Sequence, residues 1–199
     1  MPVPTSTPVS KRDLFGGALS IYLPSTFIDV SEIRQVPDYQ EVFSDPQTDQ
    51  CLMIDLLEHD PLADDDRASE NHFYQLAHDQ GTHEVKLTET RRITGEDIPQ
   101  ALKENENVVV SLTIGQTMVK KSRQGREEKD CVNIYLACVR LKQVKTDACV
   151  IFNDPIHTED QEEELRKSPL ERRQAMQLFK QVLSTFAIHD YGLFATSET

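Results

Sequence analysis

The sequence contains no tryptophan, only 7 glycines and only 4 cysteines in its 199 residues. No two cysteines form a C-x-x-C pair, so their spacing indicates neither a disulfide framework nor a zinc site. Three of them, Cys131, Cys138 and Cys149, fall inside apolar runs. We therefore expect these cysteines to be reduced, buried thiols in an intracellular protein.

The common phosphate-binding and catalytic motifs are also missing. The sequence has no G-x-G-x-x-G, no G-x-x-x-x-G-K-[ST], no H-E-x-x-H and no G-x-S-x-G. The glycine pair Gly16 and Gly17 precedes a predicted strand, whereas phosphate-binding loops follow one, so the pair predicts a turn. We expect no metal and no cofactor. Nothing in the sequence supports an enzyme, although a pair of acid–base carboxylates is left open.

Positive charge is scarce, with 21 Lys and Arg against 34 Asp and Glu and a formal net charge of −13. Phosphate backbones and anionic lipid surfaces repel such a chain, so we expect binding to neither nucleic acid nor membranes. A basic protein partner or a small-molecule site is the more natural expectation, and simple solubility explains the charge equally well. The exposed acidic surface also favours a monomer.

Long apolar runs are absent, and none reaches the length of a signal-peptide core or a membrane span. We therefore expect a location in the cytosol or the nucleus. The N-terminal "MPVPTSTPVSKRD" combines prolines with small polar residues, which predicts a disordered arm over residues 1–13. Residues 14–194 are expected to form a single domain, followed by a short tail over residues 195–199.

The first half of the chain predicts short elements. "ALSIYLP" (Ala18–Pro24) alternates between apolar and polar residues and is bounded by glycines and a proline, which predicts a strand. "LMIDLLE" (Leu52–Glu58) is either a strand or a helix, because periodicity does not separate the two at this length. Two further elements are a helical turn that begins at Asp29 or Ser31 and stops before Pro37, and a helix from Asp64–Asp66 to Gly81.

The second half predicts an antiparallel meander of three β-rich runs, at 107–121, 130–143 and 147–155. The middle run is apolar on both faces: Val132, Ile134, Leu136 and Cys138 share one, and Tyr135, Ala137, Val139 and Leu141 share the other. A sheet that is apolar on both faces needs cover on both. The predicted fold class is α+β, a three-layer α/β/α sandwich whose central, mainly antiparallel sheet is flanked by helices on both faces.

One covering helix is predicted near the C-terminus. "SPLE" marks its start, with Ser168 as N-cap, Pro169 at the first helical position and Glu171 placed for a capping box. Residues 157–168 ahead of it form an acidic connector. The apolar stripe of this helix consists of Leu178, Phe179, Val182, Leu183 and Phe186.

The stretch "SEIRQVPDYQEVF" (31–43) has little to bury and carries charges of both signs around Pro37. If the chain turns tightly there, Asp38 and Glu41 can converge on one cation, whereas an extended run places them on opposite sides. The alternative is a polar corner whose acids only face water. The polar candidates of this stretch are Glu32, Arg34, Asp38, Gln40 and Glu41.

The longer segment "LFGGALSIYLPSTFIDVSEIRQVPDYQEVF" closely resembles the opening of the Mog family, the Ran guanine nucleotide release factors of nuclear transport. The resemblance continues in "LMIDLLE", in "ACVRLKQVKTDACVIFNDP" and in "HDYGLF", so it spans about residues 14–194. The "VPDYQEVF" block after the glycine pair is its most distinctive part.

The resemblance implies a Mog/PsbP-like α/β/α sandwich that binds the small GTPase Ran and promotes nucleotide release from its GTP-bound form. It implies action by binding, without bond chemistry, in the nucleus and cytoplasm. In the family an acidic patch carries Ran binding, and its matching residues here are Asp38 and Glu41. Glu32, Arg34 and Gln40 are secondary contact candidates, and Asp29 is expected to cap a helix. The alternatives are an adaptor that holds another basic partner on the same surface and an enzyme with an unrecognised pocket.

Overall fold

The computed structural model describes residues 8–82, 84–123, 126–156 and 169–194. Within these residues the chain is mostly strand. The strands are β1 (Val9–Leu14), β2 (Leu19–Pro24), β3 (Ile28–Asp29), β4 (Gln40–Ser44), β5 (Cys51–Glu58), β6 (Val85–Arg92), β7 (Val108–Arg123), β8 (Arg126–Leu141), β9 (Thr146–Ile156) and β10 (Ala187–Ile188), and the two α-helices are α1 (Ala68–Asp79) and α2 (Pro169–Ser184).

A large antiparallel sheet of seven strands forms the centre of the molecule, in the order β3-β4-β5-β9-β8-β7-β6. The predicted meander is confirmed, because β8 pairs along its length with β7 and with β9. The ambiguous segment Leu52–Glu58 lies in β5, which pairs with β4 and β9. Burial between two strands explains why its apolar residues form a continuous run without a clear period.

One face of the sheet is covered by α1. Phe73 of this helix is buried against Ile134, Leu136 and Ile151, in a cluster that also contains Cys138 and Cys149. The helix follows a short 3-10 segment (Asp65–Arg67) whose first turn is capped by the Asp64 side chain. The predicted helix between Asp64 and Gly81 is therefore confirmed.

The other face carries the larger core. Tyr135, Phe152 and Phe179 pack there with ring centroids 5.8–6.3 Å apart, which ties α2 to the sheet. A second, three-stranded sheet in the order β1-β2-β10 shares this core. The large antiparallel sheet is as predicted. The three-layer α/β/α sandwich is not shown, because the described part of the chain has few helices and a second sheet shares the outer layer with α2.

The amphipathic stripe predicted near the C-terminus faces this core: Phe179, Val182, Leu183 and Phe186 are buried, and Leu178 packs against them. Ser168, the predicted N-cap, lies outside the described residues, as do most of the predicted N-terminal arm and the tail over 195–199. Within the described part, residues 9–13 belong to β1 and pair with β2, so the prediction of disorder is wrong there. No helix of the described chain is long and apolar enough to cross a membrane.

Candidate functional site

The polar stretch identified in the sequence lies at one edge of the large sheet, where β3 is the outermost strand and β4 is its neighbour. We call residues 28–41 the β3–β4 segment. Asp29 closes β3 and accepts a hydrogen bond from the Ser31 backbone N–H at 2.8 Å, which caps the 3-10 turn Val30–Glu32 as expected. The Gln40 backbone N–H donates to the Pro37 carbonyl at 2.9 Å, so the chain makes a tight turn immediately before β4.

Asp38 and Glu41 have different surroundings in this segment. Asp38 lies in the turn and is exposed to solvent. Glu41 is half-buried in β4, and its Oε1 atom accepts a hydrogen bond from the Phe15 backbone N–H at 2.7 Å. Phe15, Gly16 and Gly17 all have positive φ angles, of 49°, 68° and 93°. Glu41 therefore helps to hold the strained glycine turn that joins β1 to β2.

Gln40 is engaged within the protein. Its Nε2 atom donates to Asp55 Oδ1 of the neighbouring strand β5 at 2.8 Å. Asp55 is only 7% exposed, and burial raises the pKa of its carboxyl, while the hydrogen bond from Gln40 opposes that shift. This hydrogen bond offsets part of the free-energy cost of burying the Asp55 carboxylate. Gln40 therefore has a structural role besides any contact with a partner.

The remaining candidates, Glu32 and Arg34, are both exposed on the same segment. Two apolar side chains that sequence reasoning did not select lie among them: Ile33 is 71% exposed and Tyr39 is 53% exposed. Exposed Tyr beside charged groups is typical of protein-binding surfaces. The sequence feature that could have identified Ile33 and Tyr39 is their position as large apolar residues in a polar stretch, one before Pro37 and one after it.

A second polar cluster lies beneath α1, away from this segment in sequence. Arg140, 1% exposed, donates from Nε and Nη2 to the two oxygens of Asp147 at 2.9 and 2.8 Å. Its Nη1 atom donates to Asp65 at 3.1 Å, and Lys142 also pairs with Asp65. The His72 Nε2 atom completes the cluster at 2.8 Å from Asp147 Oδ2.

These contacts shift the pKa values of His72 and Asp147. Burial would lower the pKa of His72, but its hydrogen bonds to Asp147 and Cys138 outweigh burial and raise the pKa to about 9. Burial would raise the pKa of Asp147, but hydrogen bonds from Arg140 and His72 hold it below its usual range. Donor atoms of His72, Cys138 and Cys149 all lie within 4.8 Å of one another, and these three residues are the group in the described chain that could hold a metal ion.

A cavity of about 590 Å³ opens elsewhere, between α2 and the β6–β8 strands. Its polar lining includes Lys86, Glu89, Tyr135, Arg172 and Arg173. Burial raises the pKa of the Tyr135 hydroxyl to about 12, which keeps it protonated at neutral pH. None of the five candidate residues of the β3–β4 segment lines this cavity, so it does not place acid–base groups at that site.

The arrangement matches solved structures of one class. A crystal structure of the Ran-binding protein Mog1p of Saccharomyces cerevisiae superposes with a TM-score of 0.70 at 25% identity, and the match covers 96% of this chain and 100% of that one. The cyanobacterial PsbP of Synechocystis superposes with a TM-score of 0.54 at 12% identity and shares the fold alone. The chain thus has the Mog1/PsbP-like fold, a large antiparallel sheet with few helices.

Sequence comparison specifies the family. The family described as Ran-interacting Mog1 protein matches residues 12–155. The Ran guanine nucleotide release factor of Danio rerio is 36% identical over 193 residues, covering 92% of this chain and 98% of the relative. That of Homo sapiens is 33% identical over 190 residues, covering 94% and 97%. The chain belongs to the Ran-interacting Mog1 family, and the resemblance noted in its sequence is confirmed.

Proposed function

We propose that this protein binds the small GTPase Ran, promotes release of GTP from it and thereby supports nuclear protein import. The observation that carries the proposal is the near full-length similarity to relatives named Ran guanine nucleotide release factor. A further relative, from Schizosaccharomyces pombe, is named nuclear import protein mog1 and is 29% identical over 144 residues. The adaptor alternative has no comparable support.

The binding surface that we propose is the β3–β4 segment, with Asp38 and Glu41 as its main acidic contacts. The exposed Asp38 carboxylate and the half-buried Glu41 carboxylate pair with Lys or Arg on the GTPase, and such complementarity speeds association and fixes orientation. Glu32 and Arg34 contribute further polar contacts. Ile33 and Tyr39 supply the apolar area that a charged surface needs for a stable complex. Gln40 contributes by holding the start of β4 through Asp55.

In this proposal the protein acts as a monomer, by binding alone, without a cofactor and without making or breaking covalent bonds. Its proposed location is the nucleus and cytoplasm. If it weakens the hold of Ran on GTP, then GTP weakens the hold of Ran on it by the same factor. A coupling free energy of about 1–3 kcal/mol corresponds to a change of roughly 5- to 150-fold in either affinity. A preference in binding for the GTP-bound form over the GDP-bound form would require this weakening to be smaller with GTP than with GDP.

The test is release of a fluorescent guanine nucleotide from purified Ran, measured with the wild-type protein and with Asp38→Lys/Glu41→Lys. We expect faster release from the GTP-loaded form with the wild type and no acceleration with the double variant. Tyr39→Ala is expected to weaken binding, whereas Tyr74→Ala on α1, at 49% exposure against 53% for Tyr39, is the matched control. Binding with unaltered release would instead favour the adaptor.

A further inference from the structure

The inside of the protein contains a group of side chains that the proposed Ran surface does not use. His72 of α1 meets Cys138 of β8 and Cys149 of β9, and their donor atoms lie within 4.8 Å of one another. Cys138 and Cys149 are directly opposite each other in the β8–β9 register. All four cysteines in the chain are free thiols. We propose that His72, Cys138 and Cys149 bind a thiophilic cation, Zn²⁺ or Cu⁺.

The distances suit such an ion. Zinc–sulfur bonds of about 2.3 Å and zinc–nitrogen bonds of about 2.0–2.1 Å place neighbouring ligand atoms roughly 3.5–4 Å apart. Donor atoms that already lie within 4.8 Å reach that geometry by side-chain adjustments of less than about 1 Å. Thiolate and imidazole ligands select Zn²⁺ and Cu⁺ over Mg²⁺ and Ca²⁺, which prefer oxygen.

The histidine is oriented for this role by a second residue. Its Nε2 atom is engaged by Asp147 Oδ2 at 2.8 Å, so Nδ1 is the nitrogen left for a metal. Asp147 is in turn held by Arg140, whose Nε and Nη2 atoms donate to it. A metal-binding imidazole whose other nitrogen is held by a carboxylate is the usual arrangement of metal sites, because the carboxylate fixes the ring and increases its basicity.

The side chains packed around the two cysteines are apolar. Cys138 and Cys149 are fully buried on two paired strands, and Phe73, Ile134 and Leu136 surround them. Two thiolates balance the charge of one Zn²⁺, which limits the cost of burying the ion. His72 is 15% exposed at its side chain, so its ring connects the buried sulfurs to the surface.

This group could not be recognised in the sequence because of the spacing of its cysteines. Zinc motifs are read from cysteines a few residues apart, whereas Cys138 and Cys149 come together only across the turn between β8 and β9. Cys131 lies on β8 beside Ile156 and is also buried, but it is not part of the group. It therefore provides a control cysteine on the same strand.

The test is metal binding by the purified, reduced full-length chain. Zn²⁺ and Cu⁺ are each offered in a separate experiment, and the metal retained after gel filtration is counted per chain. We expect about one ion per chain, and Co²⁺ in place of Zn²⁺ should show a sulfur-to-cobalt charge-transfer band. Because even neighbours of metal ligands affect affinity about 10- to 100-fold, Cys138→Ser and Cys149→Ser should weaken binding roughly 100-fold or more. Cys131→Ser should leave it unchanged.

A measurement on the wild type covers the case in which a variant does not fold. X-ray absorption of the bound metal should show a shell of two sulfurs and at least one nitrogen. Absence of retained Zn²⁺ and Cu⁺, a shell without sulfur, or an equal loss of binding in Cys131→Ser would each overturn the proposal. Retention of Zn²⁺ alone or of Cu⁺ alone supports it and identifies the ion.

Discussion

The Glu41 carboxylate accepts a hydrogen bond from the Phe15 backbone N–H at 2.7 Å, across 26 residues of sequence. This contact gives one residue two roles, because Glu41 belongs both to the proposed Ran surface and to the support of the Phe15–Gly17 turn. Asp38 lies in the same segment but is exposed. The two acids should therefore respond differently to substitution, although they are three positions apart.

Glu41→Lys is expected to lose both Ran binding and stability, the latter by about 1–2 kcal/mol, because a lysine cannot accept the Phe15 hydrogen bond. Glu41→Gln retains an acceptor oxygen, so its stability should stay close to wild type while Ran binding weakens with the lost charge. Denaturant unfolding and a Ran binding assay on the same samples measure the two effects. Equal stability of the Lys and Gln variants would contradict a structural role for Glu41.

Asp38→Lys should abolish Ran binding with a change in unfolding free energy of less than about 0.5 kcal/mol, as is usual for exposed positions. The charge reversal places a cation where the partner is expected to present one. The checks are binding by titration calorimetry and thermal unfolding. A variant that binds Ran normally would remove Asp38 from the proposed surface.

Gly16→Ala should destabilise the protein by about 1–2 kcal/mol, because Gly16 has φ 68° and L-residues other than Asn and Asp rarely adopt that conformation. A Cβ at this position meets nothing within 4 Å, so the cost is one of backbone conformation and not of a clash. Gly16→Asn is the matched control and should cost less. Chemical denaturation compares the two, and equal losses would speak against backbone strain.

Asp147→Asn should destabilise the fold by about 3–5 kcal/mol, because it leaves Arg140 buried without its main counter-charge. Asp66→Asn provides a contrast: its ion pair with Arg92 at 3.1 Å is exposed on both sides, and such pairs contribute about 0–1 kcal/mol. Urea unfolding of both variants measures the difference. Similar losses would mean that Arg140 finds another partner.

Asp65→Asn should show a pH-dependent defect. Hydrogen bonds from Lys142 and then Arg140, partly opposed by burial, hold the pKa of Asp65 below its usual value of 3.8. A carboxyl group whose pKa is lower in the folded state than in the unfolded state stabilises the fold at pH values above the unfolded-state pKa. That contribution disappears as the pH falls through the folded-state pKa. The difference in unfolding free energy between wild type and variant should therefore be constant near pH 7 and shrink below about pH 4. A difference that grows in acid would contradict this sign.

The features that the sequence predicted correctly are those with a local period. The alternation of Tyr135, Ala137 and Val139 against Ile134 and Leu136 identified the two faces of β8, since successive side chains of a strand point to opposite faces. The stripe on α2 and the cap at Asp29 are equally local. Disorder was predicted wrongly for residues 9–13, because their hydrogen bonds to β2 involve backbone groups that composition does not reveal.

The candidate site likewise has features that local sequence predicts and features that it does not. The Mog family could be identified from the sequence, because the resemblance depends on whole motifs, but the sequence left open whether the chain turns or extends after Pro37. Three contacts became visible only in the folded chain: Glu41 supports the glycine turn, Gln40 bonds to Asp55, and His72 meets Cys138 and Cys149. Those contacts join elements far apart in the chain, and their distances follow from strand order and helix packing, which no local pattern encodes.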